Sequence, residues 1–164
     1  MRRIGISERG TDCGNEIQHE LSPVLPSIVF YSELPSFTLK QKEKIRHWLS
    51  LVAAHYGAKM KAVHYIFCDD AYLLEINRQY LQHETLTDII TFRYAEFPDP
   101  LQSDIYISVE RVRENASEFG VDFDLELRRV MVHGILHLLG FKDKTAKEEQ
   151  KMRAAENEAL ALFD

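Results

Sequence analysis

The chain carries the stretch Val132-His-Gly-Ile-Leu-His-Leu-Leu-Gly-Phe-Lys-Asp143. Its apolar residues predict a buried helix, and on a helix two histidines four positions apart project from one face, about one turn from each other. Gly140 tolerates the left-handed backbone that ends many helices, so the chain is expected to turn back there. That turn brings Asp143 within reach of His133 and His137.

These three side chains form a candidate metal site. Two neutral imidazoles and one carboxylate suit Zn²⁺, and three protein ligands leave a position for a water molecule, which the metal acidifies enough for attack near neutral pH. A histidine pair alone also arises by chance in a buried helix. Gly140 and Asp143 make the pattern more specific, and buried imidazoles without partners are unfavourable. We therefore predict one Zn²⁺ per chain, bound by His133, His137 and Asp143.

The same spacing occurs in the metzincin proteases, whose pattern H-E-x-x-H-x-x-G-x-x-H uses the glutamate as general base. The corresponding residue here is Gly134, so peptide hydrolysis by that mechanism lacks its proton acceptor. Glycine inside a helix costs about 1 kcal/mol relative to alanine. We expect that glycine is present at residue 134 because substrate, or another backbone segment, approaches closely there at the metal.

Apolar periodicity around this stretch predicts short strands and longer helices in mixed order. Strands are predicted over residues 27–31, 61–68, 88–92 and 104–108, and helices over 39–55, 73–81, 109–120, 122–140 and 144–162. The predicted fold class is α+β, with a single small mixed sheet of about four strands covered by about five helices. The metal site then lies on a helix and the turn that follows it. Strand order does not follow from these patterns.

Composition divides the chain into two parts. Residues 1–26 show no sustained period and are predicted to be a poorly ordered N-terminal extension, whereas residues 27–164 have a usual length for one domain. Apolar runs fall far short of the ~20 residues that span a bilayer, and no continuous apolar signal region is present. We therefore predict a cytoplasmic protein without a membrane partner. The net charge of −6 argues against tight nonspecific binding to nucleic acid.

Three blocks of sequence carry a family resemblance. The stretch from His133 to Phe141 is similar to the pattern H-G-x-L-H-L-x-G-[YF]-x-H. Asn77-Arg78 with Thr87-Asp88-Ile-Ile-Thr-Phe92 resembles N-R followed by T-D-V-L-S-F, and Asp104-Ile-Tyr-Ile-Ser108 resembles G-D-I-x-I-S. These patterns are those of the YbeY endoribonucleases, also called rRNA maturation factors. One departure is Asp143, where the family usually has a third histidine, and it changes the charge and metal preference of the site.

The resemblance implies a zinc-dependent hydrolase, a single-strand-specific endoribonuclease that acts in ribosome biogenesis on the 3′ end of 16S rRNA through activated water at the phosphodiester. The implied partners are an rRNA precursor and the ribosome or its assembly factors. Arg78 and His133 are implied as catalytic residues, with Arg78 neutralising charge on the phosphate. An ordinary surface position, or a pairing with Asp88, is the alternative for Arg78. Asp88 and Asp104 are expected to orient imidazoles or to hold loops.

Two other functions stay open at this point. A metallohydrolase acting on a peptide or small molecule keeps the metal site but needs a base other than residue 134. A binding protein of the ribosome-assembly pathway would hold a structural metal, which a closed site of four ligands would favour. His64 and His83 are the candidates for a fourth ligand. Neither the general base nor the oligomeric state follows from the sequence.

Overall fold

The computed structural model describes residues 26–81 and 87–164. The predicted extension, apart from Pro26, and His83 lie outside the described residues. The described chain forms four strands and five α-helices, which confirms the α+β prediction. In chain order they are β1 (Ile28–Ser32), α1 (Lys42–His55), β2 (Met60–Cys68), α2 (Asp70–Ile76), β3 (Ile89–Arg93), β4 (Leu101–Ser108), α3 (Val109–Phe119), α4 (Phe123–Leu138) and α5 (Ala146–Ala161), and a π-helical turn, Asn77–Leu81, continues α2.

The four strands form one mixed sheet in the order β1-β2-β4-β3. β1, β2 and β4 are parallel, whereas β3 runs antiparallel to β4. Helix α1 forms the crossover between β1 and β2. The strand order places β3 at one edge of the sheet, beside β4. Among the described helices, none is both long and apolar enough to cross a membrane.

The two faces of the sheet are covered unequally, since alternate residues of a strand point to opposite sides. On the inner face, Tyr65 of β2 and Ile105 of β4 belong to the main core together with residues of α1, α4 and α5. On the outer face, a smaller cluster joins Cys68 and Ile90 to Leu73 of α2. The main core therefore lies between the sheet and the long helices.

Helix α4 is the central element of this core. Met131, Val132, Ile135 and Leu136 are fully buried, and complete burial of such side chains stabilises a fold by about 1.5–3 kcal/mol each. The hydroxyl of Tyr65 donates a hydrogen bond to the carbonyl oxygen of Met131 at 2.8 Å. Packing on several sides fixes the position of α4, and with it the histidines that α4 carries.

Gly134 lies where α4 approaches the sheet most closely. A Cβ atom at this position would lie 3.1 Å from Cδ1 of Ile89 and 3.2 Å from Cδ1 of Ile105. The expected close approach is therefore present, but its partners are side chains of β3 and β4. The prediction that substrate or another backbone at the metal explains this glycine is wrong. The reason is helix-to-sheet packing, which leaves a tight fit for a Cβ atom and no space for a larger side chain.

Larger side chains at residue 134 should destabilise the fold by overpacking. We expect Gly134→Val to lower the free energy of unfolding by about 1–3 kcal/mol, measured by urea denaturation. Gly134→Ala is the matched control: it gains about 1 kcal/mol of helix propensity against a tight contact with flexible side-chain ends, so its stability should stay near that of the unchanged protein. Equal stability of the valine and alanine variants would contradict this account.

Candidate metal centre

The end of α4 brings the three predicted ligands together. The rings of His133 and His137 have centroids 4.5 Å apart. Gly140 adopts a left-handed backbone with φ of 102°, as predicted, and the amide of Phe141 donates back to the carbonyl of Leu136 at 3.0 Å. After this turn, Oδ2 of Asp143 lies 3.3 Å from Nε2 of each histidine.

The tautomer of His137 is set by its other ring nitrogen. Nδ1 lies 3.0 Å from the carbonyl oxygen of Phe141, and because a carbonyl oxygen only accepts, Nδ1 must carry the proton. In the neutral ring, Nε2 is then an acceptor with its lone pair toward Asp143. The helix-ending turn thus supplies both a candidate ligand and the group that orients the second histidine.

His133 is oriented by a buried carboxylate. Its Nδ1 lies 2.7 Å from Oε2 of Glu156 on α5, and Arg129 donates to Oε1 of the same carboxylate at 3.1 Å. Burial lowers the pKa of His133, but the hydrogen bond and charge of Glu156, with Asp143 and Asp88 nearby, raise it overall. Burial raises the pKa of Glu156, yet the hydrogen bonds and charges of His133 and Arg129 lower it overall.

A cation fits the space between these three groups. One ligand atom each from His133, His137 and Asp143 lies within 4.8 Å of the others. With protons on both Nδ1 atoms, two imidazole lone pairs and one carboxylate oxygen face one another, and facing acceptors are unfavourable unless a proton or a metal ion lies between them. The orienting partners of both rings are those usual for metal-bound histidines. The arrangement is therefore a candidate metal triad.

A cavity of about 760 Å³ opens beside the triad, along the edge strand β3. Arg93 and Lys144 contribute positive charge to its lining. The Nη2 of Arg93 donates to the carbonyl of His137 at 2.5 Å, so this guanidinium is fixed at the end of α4. The cavity therefore combines a candidate metal site with groups that attract an anion.

Arg78 lies near this cavity but does not line it. It is exposed on the π-helical turn, whereas its neighbours Asn77 and Leu81 face the cavity. Within the described residues, no salt bridge joins Arg78 to Asp88. The catalytic role of Arg78 stays a prediction, and Arg93 is the arginine that the structure brings to the cavity.

The two aspartates of the upstream blocks have different surroundings. Asp104 lies 3.1 Å from Nδ1 of His64 and accepts a hydrogen bond from the hydroxyl of Tyr94 at 2.9 Å, on the outer face of the sheet. It therefore orients an imidazole outside the triad. Asp88 lines the cavity, and burial raises its pKa although the nearby charge of His133 opposes the change.

Sequence reasoning missed Glu156, although a signal was present. The buried positions of α5 are Met152, Ala155, Glu156 and Ala159, spaced three and four apart on one helix face. A carboxylate within an otherwise apolar stripe needs a buried partner. Its partner, His133, lies 23 residues earlier, and nothing local in the sequence identifies it.

The fold and the triad together define a class. This is a small α+β protein with three candidate metal ligands on a buried helix and its following turn, beside an open cavity, an arrangement typical of metal-dependent hydrolases.

Comparisons narrow the class to one family. The family model described as Endoribonuclease YbeY matches residues 31–164. The protein named Endoribonuclease YbeY from Flavobacterium psychrophilum is 50% identical over 127 residues, which are 77% of this chain and 90% of that one. The corresponding protein from Bacteroides thetaiotaomicron is 49% identical over 122 residues, 74% of this chain and 88% of its own. The chain belongs to the endoribonuclease YbeY family.

A solved structure agrees with the fold. The solution structure of TM1509 from Thermotoga maritima is similar with a TM-score of 0.58 and 28% identity, and the match covers 83% of this chain and 88% of that one. The resemblance stated from the three sequence blocks is confirmed by the family match.

The His133–Glu156 pair should make the stability of the metal-free protein depend on pH. Because the folded pKa of His133 is above 6.5, the protonated ring stabilises the fold below pH 6.5, and this contribution is lost as the pH rises through the folded pKa. The lowered pKa of Glu156 gives a contribution that is present above pH 4.5 and lost as the pH falls through the folded pKa. The pair is therefore most stabilising between pH 4.5 and 6.5.

Urea denaturation with chelator present, at pH 5.5 and pH 8, checks this expectation. Glu156→Gln should reduce the loss of stability between the two pH values, because it removes the charge that holds the proton on His133. Replacement of the exposed His47 by Gln is the control and should leave the difference unchanged. Identical pH profiles for Glu156→Gln and the unchanged protein would refute a charged pair.

Proposed function

We propose that this chain is a zinc-dependent endoribonuclease that cleaves single-stranded RNA during maturation of the 3′ end of 16S rRNA. The supporting observation is the convergence of Asp143 Oδ2 with two imidazole Nε2 atoms, each at 3.3 Å, beside an open cavity in a member of the endoribonuclease YbeY family. His133, His137 and Asp143 would hold one Zn²⁺. When bound, Zn²⁺ supplies Lewis-acid stabilisation of phosphoryl charge and lowers the pKa of water.

The residues around the triad have two further roles, which are to orient the imidazoles and to attract the phosphates of the substrate. Glu156 and the carbonyl of Phe141 keep both Nε2 atoms directed at the site, so little reorganisation is needed on binding. Arg93, fixed by its bond to the His137 carbonyl, and Lys144 attract the phosphates of an RNA strand along β3. Arg78, on the adjacent turn, is the second arginine proposed to neutralise charge on the cleaved phosphate.

The contacts of His64 favour a catalytic rather than a structural metal. In the described part of the chain the candidate cluster contains three ligands, and His64 is engaged with Asp104 instead. His83 lies outside that part. Three ligands leave a position for substrate or water, as in catalytic zinc sites. The protease alternative still lacks a base at residue 134, where the packing against Ile89 and Ile105 leaves no room for glutamate.

The same proposal assigns the partners and the place of action. An rRNA precursor is the substrate, and the ribosome or its assembly factors are the partners, in the cytoplasm. The net charge of −6 supports recognition through such partners rather than tight nonspecific binding. Residues 27–164 form the metallohydrolase domain in this proposal, and residues 1–26 are an extension to it.

Metal content tests the ligand set directly. Elemental analysis of the purified protein should find about one zinc per chain, and His137→Ala and Asp143→Ala should each lose it while remaining folded. His64→Ala is the matched control, because it also removes a partly buried imidazole paired with an aspartate. Retained zinc in both ligand variants, or loss in His64→Ala alone, would overturn the assignment.

Arg78→Ala should lower the rate of RNA cleavage while zinc content stays unchanged. Loss of one group that stabilises transition-state charge typically costs about 10²-fold in rate. Cleavage of a single-stranded RNA, measured with Arg93→Ala in parallel and Arg113→Ala as a distant control, separates the alternatives. Full activity in Arg78→Ala with a large loss in Arg93→Ala would move the role to Arg93, and loss of zinc or folding in Arg78→Ala would refute its catalytic role.

A further inference from the structure

A second cavity opens on the other side of His133. It has a volume of about 310 Å³, lies between α3, α4 and α5, and shares Asp88, His133 and Asp143 with the larger cavity. Its volume is at the lower end of the ~300–1,000 Å³ typical of small-ligand sites, so one nucleotide is a suitable occupant. A strand that crosses the triad from the larger cavity would place its next nucleotide here.

An acid without a protein partner among the described residues lines this cavity. Glu126 is only 6% exposed, and in the described part of the chain its carboxylate has no hydrogen-bond or salt-bridge partner. Burial raises the pKa of Glu126, although the charges of Arg129 and Arg153 oppose the change. The carboxylate oxygens of Glu126 are not buried unsatisfied atoms, so they reach the solvent in the cavity. A ligand that donates hydrogen bonds to Glu126 would replace that solvent.

The other lining groups suit a nucleotide. Phe119, at the last residue of α3, is 57% exposed and faces the cavity, and exposed aromatic rings stack on bases in single-stranded RNA. Arg153 also lines the cavity with its side chain 59% exposed, within reach of solvent and of a phosphate. Asn115 adds an amide, whose Nδ2 lies 3.5 Å from Oδ2 of Asp88.

We propose that this cavity is a base-binding subsite for guanine, in which Phe119 stacks on the base and Glu126 accepts its two adjacent donors. The inference rests on the proposed function and adds a substrate preference to it. Guanine presents N1–H and the 2-amino group side by side, which matches the two oxygens of a carboxylate. Adenine and cytosine place an acceptor beside a single amino group, and uracil has one N–H between two carbonyls, so none of them satisfies Glu126 equally.

Binding of mononucleotides tests the subsite without depending on catalysis. Titration calorimetry of the full chain with GMP and AMP should show GMP bound about tenfold more tightly, the selectivity expected of one bidentate contact to a base. Glu126→Gln should remove the preference, and Phe119→Ala should weaken both nucleotides. Glu158→Gln, an exposed change of the same chemistry on α5, is the control and should retain the preference.

Two results would overturn the subsite: equal binding of GMP and AMP to the unchanged protein, or an undiminished preference in Glu126→Gln. Glu126→Gln should keep or raise the urea midpoint, because it removes a charge that burial penalises and keeps the size of the side chain. The exposed Phe119→Ala provides a second test that does not disturb the core.

Cleavage assays separate this inference from the proposed function. Two single-stranded RNAs that differ only by one guanine replaced with adenine should be cut differently, next to that guanine. Cleavage that ignores the replacement overturns the subsite and leaves the endoribonuclease proposal standing. Failure to cleave any RNA, with zinc bound, overturns the proposed function itself.

Discussion

The close packing of α4 on β3 and β4 is the constraint on which the rest of the structure depends. The contact at Gly134, where a Cβ would lie 3.1 Å from Ile89, sets how near the helix lies to the sheet. Because His133 and Gly134 are neighbours, the same contact fixes the histidines beside the edge strand. The cavity along β3, and the arginine that β3 contributes to it, follow from that distance.

The two carboxylates next to the triad have different roles: Glu156 orients His133, and Asp143 faces the candidate metal site. Glu156 is fully engaged by Arg129 and His133, so its negative charge is compensated within the core. Asp143 is more exposed than Glu156 and faces the imidazoles. With both imidazoles neutral, a carboxylate in this position gives the three candidate ligands a net negative charge, which a divalent ion would balance. Arg93 and Lys144 then leave the neighbouring surface favourable to phosphate despite the acidic chain.

The triad lies between two cavities of unlike chemistry. The larger one is bordered by an edge strand and by two cations, which suits a backbone of phosphates. The smaller one holds a buried acid, an amide and an exposed phenylalanine ring, which suits a base. A single strand of RNA has both kinds of surface in alternation, so the two cavities are consistent with one extended substrate that crosses the site.

Local sequence determined most of the elements and the ligand cluster, since both depend on contacts within a few residues. The four-residue spacing of His133 and His137, the positive φ at Gly140 and the return of Asp143 are consequences of helix pitch and of glycine's freedom of backbone conformation. The strands and helices were predicted to within a few residues for the same reason, although β4 begins earlier than expected, at Leu101.

Tertiary structure alone decided the strand order, the packing at Gly134, and the partners Glu156 and Arg93. Each of these joins residues far apart in the chain, and local periodicity contains no information on which distant surfaces meet. Arg78 is the opposite case. The family resemblance implied a role for it in the site, but its side chain is exposed beside the cavity, and Arg93 is the arginine that lines it. Many helix and strand faces have similar local sequence patterns. Which of them pack against each other depends on how the whole core fits together, so it cannot be predicted from any one segment.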